Sequence, residues 1–119
     1  MPADNPLTIG LVGVCGAGKS ELARRLRRRG YRVRHIAQEH SFSPTMYRRR
    51  QPPDILIYLH ATFPTTIQRK GFRWHEREYQ EQLRRLEHAR RHADLVIHTD
   101  ELTPEEVEAA VLEFLESEQ

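Results

Sequence analysis

Cysteine is almost absent from this chain: Cys15 is the single one among 119 residues. A disulfide framework and a cysteine metal site are therefore excluded within one chain. Long apolar runs are also missing, and none approaches the ~20 residues that a membrane-spanning helix needs. The first residues, Met1-Pro2-Ala3-Asp4-Asn5-Pro6, lack the basic-then-apolar pattern of a secretory leader, so a cytoplasmic protein is expected. There is no internal repeat and no linker-like stretch. The length suits one small domain over residues 1–119, not two. With 38% hydrophobic and 30% charged residues, the composition is that of a soluble globular fold, not a disordered one.

Lysine is scarce as well, with 2 against 17 arginines. The arginines cluster at 24–25, 27–29, 48–50, 84–85 and 90–91. Such clusters permit nucleic-acid binding. They fall on or near expected helices with interleaved Glu or apolar residues, so solvated helix faces are the favoured reading and a nucleic-acid partner is not expected. Arginine-rich helices around a small core also permit a homodimer.

Glycine is used sparingly, yet three of the six glycines fall within six positions: Gly13, Gly16 and Gly18. Residues 13–20 read Gly13-Val14-Cys15-Gly16-Ala17-Gly18-Lys19-Ser20, a complete G-x-x-x-x-G-K-[ST] phosphate-binding (Walker A) loop. The short apolar run Leu7–Val12 precedes it and the helix-forming stretch Glu21–Leu26 follows it, the context such a loop requires. The glycines let backbone N–H groups converge into an anion-binding nest. The following helix adds free N–H groups and the positive end of its dipole. Lys19 is placed to reach the outer phosphates, and the Ser20 hydroxyl to ligate Mg²⁺. Cys15 occupies a permissive position, where it reads as a small tolerated side chain.

Strands and helices alternate along the chain, which predicts a parallel sheet with helices on its faces. The expected strands are about 7–12, 31–37, 54–59 and 94–98. The second has its apolar Val33 and Ile36 among basic neighbours and suits a sheet edge; the third is the most apolar and suits the centre. The expected helices are 18–29, stopped by Gly30; 64–70, closed by Gly71; 75–92, with Tyr79, Leu83, Leu86 and Ala93 on one face; and a last helix opened by the capping box Thr103-Pro104-Glu105-Glu106. Residues 38–53 are the least regular, with a turn of helix within 45–51.

This layout resembles the P-loop nucleoside and nucleotide kinases, the adenylate-kinase-like group. The resemblance rests on the phosphate loop, on Pro53–Ala61 followed by Pro64–Gly71, and on His92–Asp100 followed by Leu102–Val107. It implies an α/β fold: a single three-layer P-loop NTPase domain whose four-stranded parallel sheet has the order 2-1-3-4. It also implies binding of ATP (or GTP) with Mg²⁺, and kinase-like phosphoryl transfer or NTP hydrolysis. Two departures stand out. The segment 38–53 is too short for the family's acceptor-binding region, and His60 stands where the family often has an acid.

Phosphoryl transfer needs phosphate positioning, a metal, cationic charge and an acidic or water-orienting residue. Arg69 and Arg73 match the family's lid arginines and are expected to cap the outer phosphates. Glu39, after the second strand, is the candidate acid for Mg²⁺, with Ser20; His40 adjoins it. Asp54 begins its strand and so points away from the site. Asp100 lies too far along the sheet, although the loop 99–103 is expected to border the base. Phe72 and Trp74 read as cover for a core edge more than as base-stacking residues. His88 and His92 share a helix face and read as solvated more than as metal ligands. Two rival functions remain in view: a non-catalytic nucleotide-binding regulatory or assembly module, and a nucleic-acid-associated NTPase.

Overall fold

The structure is a computed structural model that describes residues 7–71 and 74–117. Four strands form one parallel sheet: β1 (Thr8–Gly13), β2 (Arg32–His35), β3 (Ile55–His60) and β4 (Leu95–His98). Their spatial order is β2-β1-β3-β4, the 2-1-3-4 order expected from sequence. β1 and β3 are buried along nearly their whole length, which is why they read as unbroken apolar runs and not as alternating patterns.

Four helices cover the sheet: α1 (Lys19–Arg28), α2 (Phe63–Lys70), α3 (Glu76–His92) and α4 (Pro104–Ser117). From the central pair of strands, the chain crosses to β2 in one direction and to β4 in the other. Right-handed crossovers then place α1 and α3 on opposite faces. α1 buries Leu22, Ala23 and Leu26 and packs on β1, β2 and α4. α4 opens with the expected capping box, in which Thr103 N–H donates to Glu106 Oε1 and Glu106 N–H to Thr103 Oγ1. Its Val107, Val111 and Leu115 are buried. Arg25 of α1 and Arg29 just after it join the α4 carboxylate of Glu108 at 3.0 and 2.6 Å.

Five helix arginines are answered by acids of their own helix: Arg24 and Arg25 by Glu21, Arg84 and Arg85 by Glu81, and Arg91 by Glu87. This agrees with solvated helix faces. No helix among the described residues is long and apolar enough to cross a membrane.

One strand end and one helix face differ from expectation, and the turn expected within 45–51 is shorter. The second strand stops at His35, not Ala37: Ile36 N–H still bonds Leu11 O at 3.0 Å, but the chain then tightens into a single 3-10 turn, Gln38–His40. Gln38 causes this. Its buried amide accepts from Tyr47 N–H at 2.8 Å and donates to Ser43 O at 2.7 Å, which folds residues 38–47 back on themselves. The helical turn expected within 45–51 is confined to Met46–Arg48. On α3 the fully buried line is Tyr79, Gln82, Leu86 and Ala89; Leu83 is half-buried and Ala93 ends the helix. A glutamine therefore occupies a core position.

One glycine is dictated by the sheet itself. Gly13 ends β1 at φ 154°, and a Cβ there would collide with the Leu59 carbonyl of β3. The chain can turn into the following loop only because that side chain is missing. Gly13→Ala is expected to destabilise the fold by more than about 2 kcal/mol, the scale of overpacking against backbone, measured as a lower midpoint in urea unfolding. An unchanged midpoint would show that the strand relaxes around the methyl group.

Candidate functional site

The site begins where β1 runs out. Gly16 and Gly18 adopt positive φ values of 86° and 105°. Gly18 forms the left-handed residue before α1, so the helix starts at Lys19 and not at Gly18. Ala17 N–H returns to Val14 O at 3.1 Å, closing the loop as a tight turn. Val14 and Ala17 are buried and anchor it, while Ser20 is exposed at the mouth.

Lys19 is 6% exposed, unusual for a lysine. Its ammonium folds back over the loop, donating to Gly13 O and, at 3.3 Å, to Val14 O. It also donates to Glu39 Oε2 at 3.0 Å. Glu39 is 4% exposed, so this is a buried ion pair. Buried charges persist only when paired in this way. The carboxylate reaches the loop from the Gln38–His40 turn, and Arg85 of α3 steadies it through its backbone carbonyl at 3.4 Å. Glu39 and Ser20 face a common cleft of about 400 Å³, with Gly16, Gly18, Lys19 and Arg69 among its other walls.

Arg69, near the end of α2, spans the mouth. Its guanidinium donates to Gly16 O at 3.2 Å, to Thr99 Oγ1 at 2.9 Å and to Thr99 O, which joins the loop to the chain after β4. Thr99 in turn donates to Ala17 O at 3.0 Å. Beside this junction lies a second, mostly apolar cavity of about 160 Å³, bordered by Ala17, Leu22, Arg69, Thr99, Leu102 and Val107. Arg73 and Phe72, both singled out from sequence, lie outside the described residues.

The other sequence candidates have local partners. Asp54 accepts from Thr8 N–H at 2.7 Å, at the far end of the sheet. Asp100 accepts from Thr62 N–H at 2.9 Å ahead of α2. Trp74 packs against Phe63 and Tyr79 and donates to Thr66 Oγ1 at 2.9 Å, which makes it cover for a core edge. His88 and His92 stack, but their Nδ1 atoms meet Tyr47 OH at 2.8 Å and His88 O at 2.9 Å.

Sequence reading missed Gln82 and Arg85, and it placed Thr99 only within the loop 99–103, without its bonds to Arg69 and Ala17. Gln82 accepts from Cys15 N–H at 3.0 Å and donates to its sulfur at 3.2 Å, supporting the loop from α3. A polar residue within an apolar helix stripe was the available signal for Gln82; Arg85 carried none.

His60 does not stand in for the missing acid. It packs between Tyr58 and His98, and its Nδ1 is buried with no hydrogen-bond partner among the described residues. Burial, then His98 and Arg90, lower its pKa, opposed by Asp100. Burial likewise pushes the Tyr58 hydroxyl up to about 12. A histidine whose folded pKa lies below its unfolded value binds fewer protons when folded. Its contribution to stability is full above about pH 6.5 and is lost as pH falls toward the folded value. The urea midpoint is expected to drop between pH 7 and 5, and His60→Gln to shrink that drop; an identical drop in the variant would assign it to other groups such as His35, whose pKa burial and then Lys19 also lower.

The chain matches no known family model and no curated protein, so what the site can do rests on its own geometry.

Proposed function

We propose that the chain is a small P-loop NTPase that binds ATP (or GTP) with Mg²⁺ at residues 13–20 and performs kinase-like phosphoryl transfer or hydrolysis. The observation that carries this reading is the buried Lys19 held between the loop carbonyls and Glu39. An ammonium in that position is preset to exchange loop carbonyls for phosphate oxygens. Backbone N–H groups of the glycine turn and the start of α1 would receive the phosphates. Ser20 and Glu39, on one cleft, would hold Mg²⁺ by hydroxyl and carboxylate oxygens, the ligands this hard cation takes. Arg69, poised over Gly16, would meet charge on the outer phosphates. The apolar cavity beside Thr99 and Leu102 has the placement and lining suited to the base.

A second reading, a nucleotide-binding module without turnover, draws on the absence of an acidic side chain at position 60 and on residues 38–53, which form two short turns and no acceptor-binding helix. The nucleic-acid-associated NTPase has less support, because five of the helix arginines are already paired with acids.

Lys19→Ala is expected to weaken ATP binding at least about 100-fold in calorimetry, since it removes the phosphate-facing cation. Undiminished affinity in a folded variant would overturn the reading. Glu39→Gln is expected to lower turnover by about 100-fold or more while ATP still binds, as loss of a metal-holding carboxylate does. If the unaltered protein releases no ADP with water or any of a panel of hydroxyl and phosphate acceptors, the module without turnover is the better account.

A further inference from the structure

Three cavities follow one another along the loop. The apolar one borders Ala17 and Gly18, and it shares Gly18, Glu21 and Arg69 with the central cleft of Lys19, Ser20 and Glu39. The central cleft in turn shares Cys15 with a third and larger cavity of about 610 Å³. Val14 O and Glu39 are partners of the Lys19 ammonium, and the residues that follow them, Cys15 and His40, both line this third cavity. It therefore lies against the end of the loop where outer phosphates would sit, away from the base. Its far wall is Lys70 at the end of α2, Trp74 and the first half of α3. The volume falls within the range of small-molecule sites, about 300–1,000 Å³.

The lining favours an anion. Lys70, Arg77, Arg84 and Arg85 stand there against two carboxylates, Glu78 and Glu81. Both carboxylates are engaged: Glu81 pairs with Arg84 and Arg85, and Glu78 accepts from His75 N–H at 2.9 Å. Arg77 is exposed and has no ion pair among the described residues. A guanidinium matches carboxylate and phosphate oxygens two at a time. Trp74 adds a flat apolar surface. Its Nε1 is taken by Thr66 Oγ1 and Lys70 Nζ lies 4.8 Å from its ring centre, so the indole is held at the cavity wall.

We propose that this third cavity binds the phosphoryl acceptor, a small hydroxyl compound that carries a carboxylate or phosphate group. The inference rests on the nucleotide reading and deepens it: base, phosphates and acceptor take the three cavities in order along the loop. It also answers the shortness of residues 38–53, because the acceptor's wall comes from α3 and the end of α2 instead. In the transfer, the acceptor hydroxyl oxygen bonds to the terminal phosphorus of the nucleoside triphosphate. The bond from that phosphorus to its bridging oxygen breaks, and its electron pair leaves with the nucleoside diphosphate. The hydroxyl proton goes to solvent, and no oxidation state changes.

The test uses Trp74, the chain's one tryptophan, as a reporter inside the cavity. Glycerol 3-phosphate, D-glycerate and uncharged glycerol are titrated into the nucleotide-free protein while its emission is followed. At least one of the two anions should change the emission saturably and glycerol should not; the tighter anion tells phosphate from carboxylate. Arg77→Gln should weaken that binding about 10-fold, the scale of one lost charge-assisted hydrogen bond. Circular dichroism melting confirms that the variant is folded. The anion should stay bound when Mg²⁺ and ADP saturate the loop. With Mg²⁺ and ATP it should raise ADP release and be recovered as its phosphorylated product. The proposal is overturned by no saturable response to either anion, by an equal response to glycerol, by unchanged affinity in Arg77→Gln, by displacement with Mg²⁺ and ADP, or by ADP release that a bound anion leaves unchanged. Failure of the nucleotide reading looks different: calorimetry then shows no ATP binding while the anion still perturbs Trp74, and the acceptor assignment falls with that reading.

Discussion

An ammonium and a carboxylate meet out of water at the end of the central strand, and much of the surrounding architecture serves that meeting. Lys19 comes from the first turn of α1, and Glu39 from the turn after β2. Neither charge would be tolerated there alone, because burying an unpaired ion costs several kcal/mol. The pair therefore couples the loop to the neighbouring edge of the sheet. Gln38 ties residues 38–47 into a compact turn, Arg85 holds the Glu39 carbonyl, and Gln82 braces Cys15. α3 thus works as a backing plate for the site as well as a cover for the sheet.

The opposite side of the loop is held by a different device. Arg69 spreads its guanidinium over Gly16 O and both oxygens of Thr99, and Thr99 also grips Ala17 O. A planar, multidentate donor suits this junction better than a lysine would. The loop is accordingly clamped from β4 on one flank and from the Gln38–His40 turn on the other. Such a frame fixes the shape of the loop, within which Cys15 N–H donates to Gln82 and Ala17 N–H to Val14 O. It also restricts what the site can accept: the cleft opens past Ser20 and Glu39, and residues 38–53 form no helical wall beyond it.

Much of the fold was legible in the order of residues. The apolar runs at Ile9–Val12 and Ile55–Leu59 read as buried parallel strands, and the capping box at Thr103–Glu106 marked the start of α4 within a residue. Gly71 ended α2 as a left-handed cap, as expected. Boundaries were less legible where side chains compete with the backbone. Val33 and Ile36 carry strand propensity through to 37, but Gln38 lies nine residues from the Tyr47 N–H that it binds, and no local pattern announces that bond. Likewise Gln82 breaks an apolar stripe, which signals a buried polar role, but its partner Cys15 is 67 residues away.

The sequence by itself determined the loop. Gly13, Gly16 and Gly18 supply backbone angles and clearance that side chains would deny, and Lys19 and Ser20 follow in the only positions from which a helix start can present them. Alternating strands and helices predicted only a parallel sheet; its order, β2-β1-β3-β4, is the one that the family resemblance implied. Only the tertiary structure decided which acid faces the loop, that His60 turns into packing with Tyr58 and His98, and that Arg69 serves the loop as a clamp. Those outcomes depend on contacts between residues distant in the chain, whose energies arise from burial and charge pairing that exist only once the sheet has assembled.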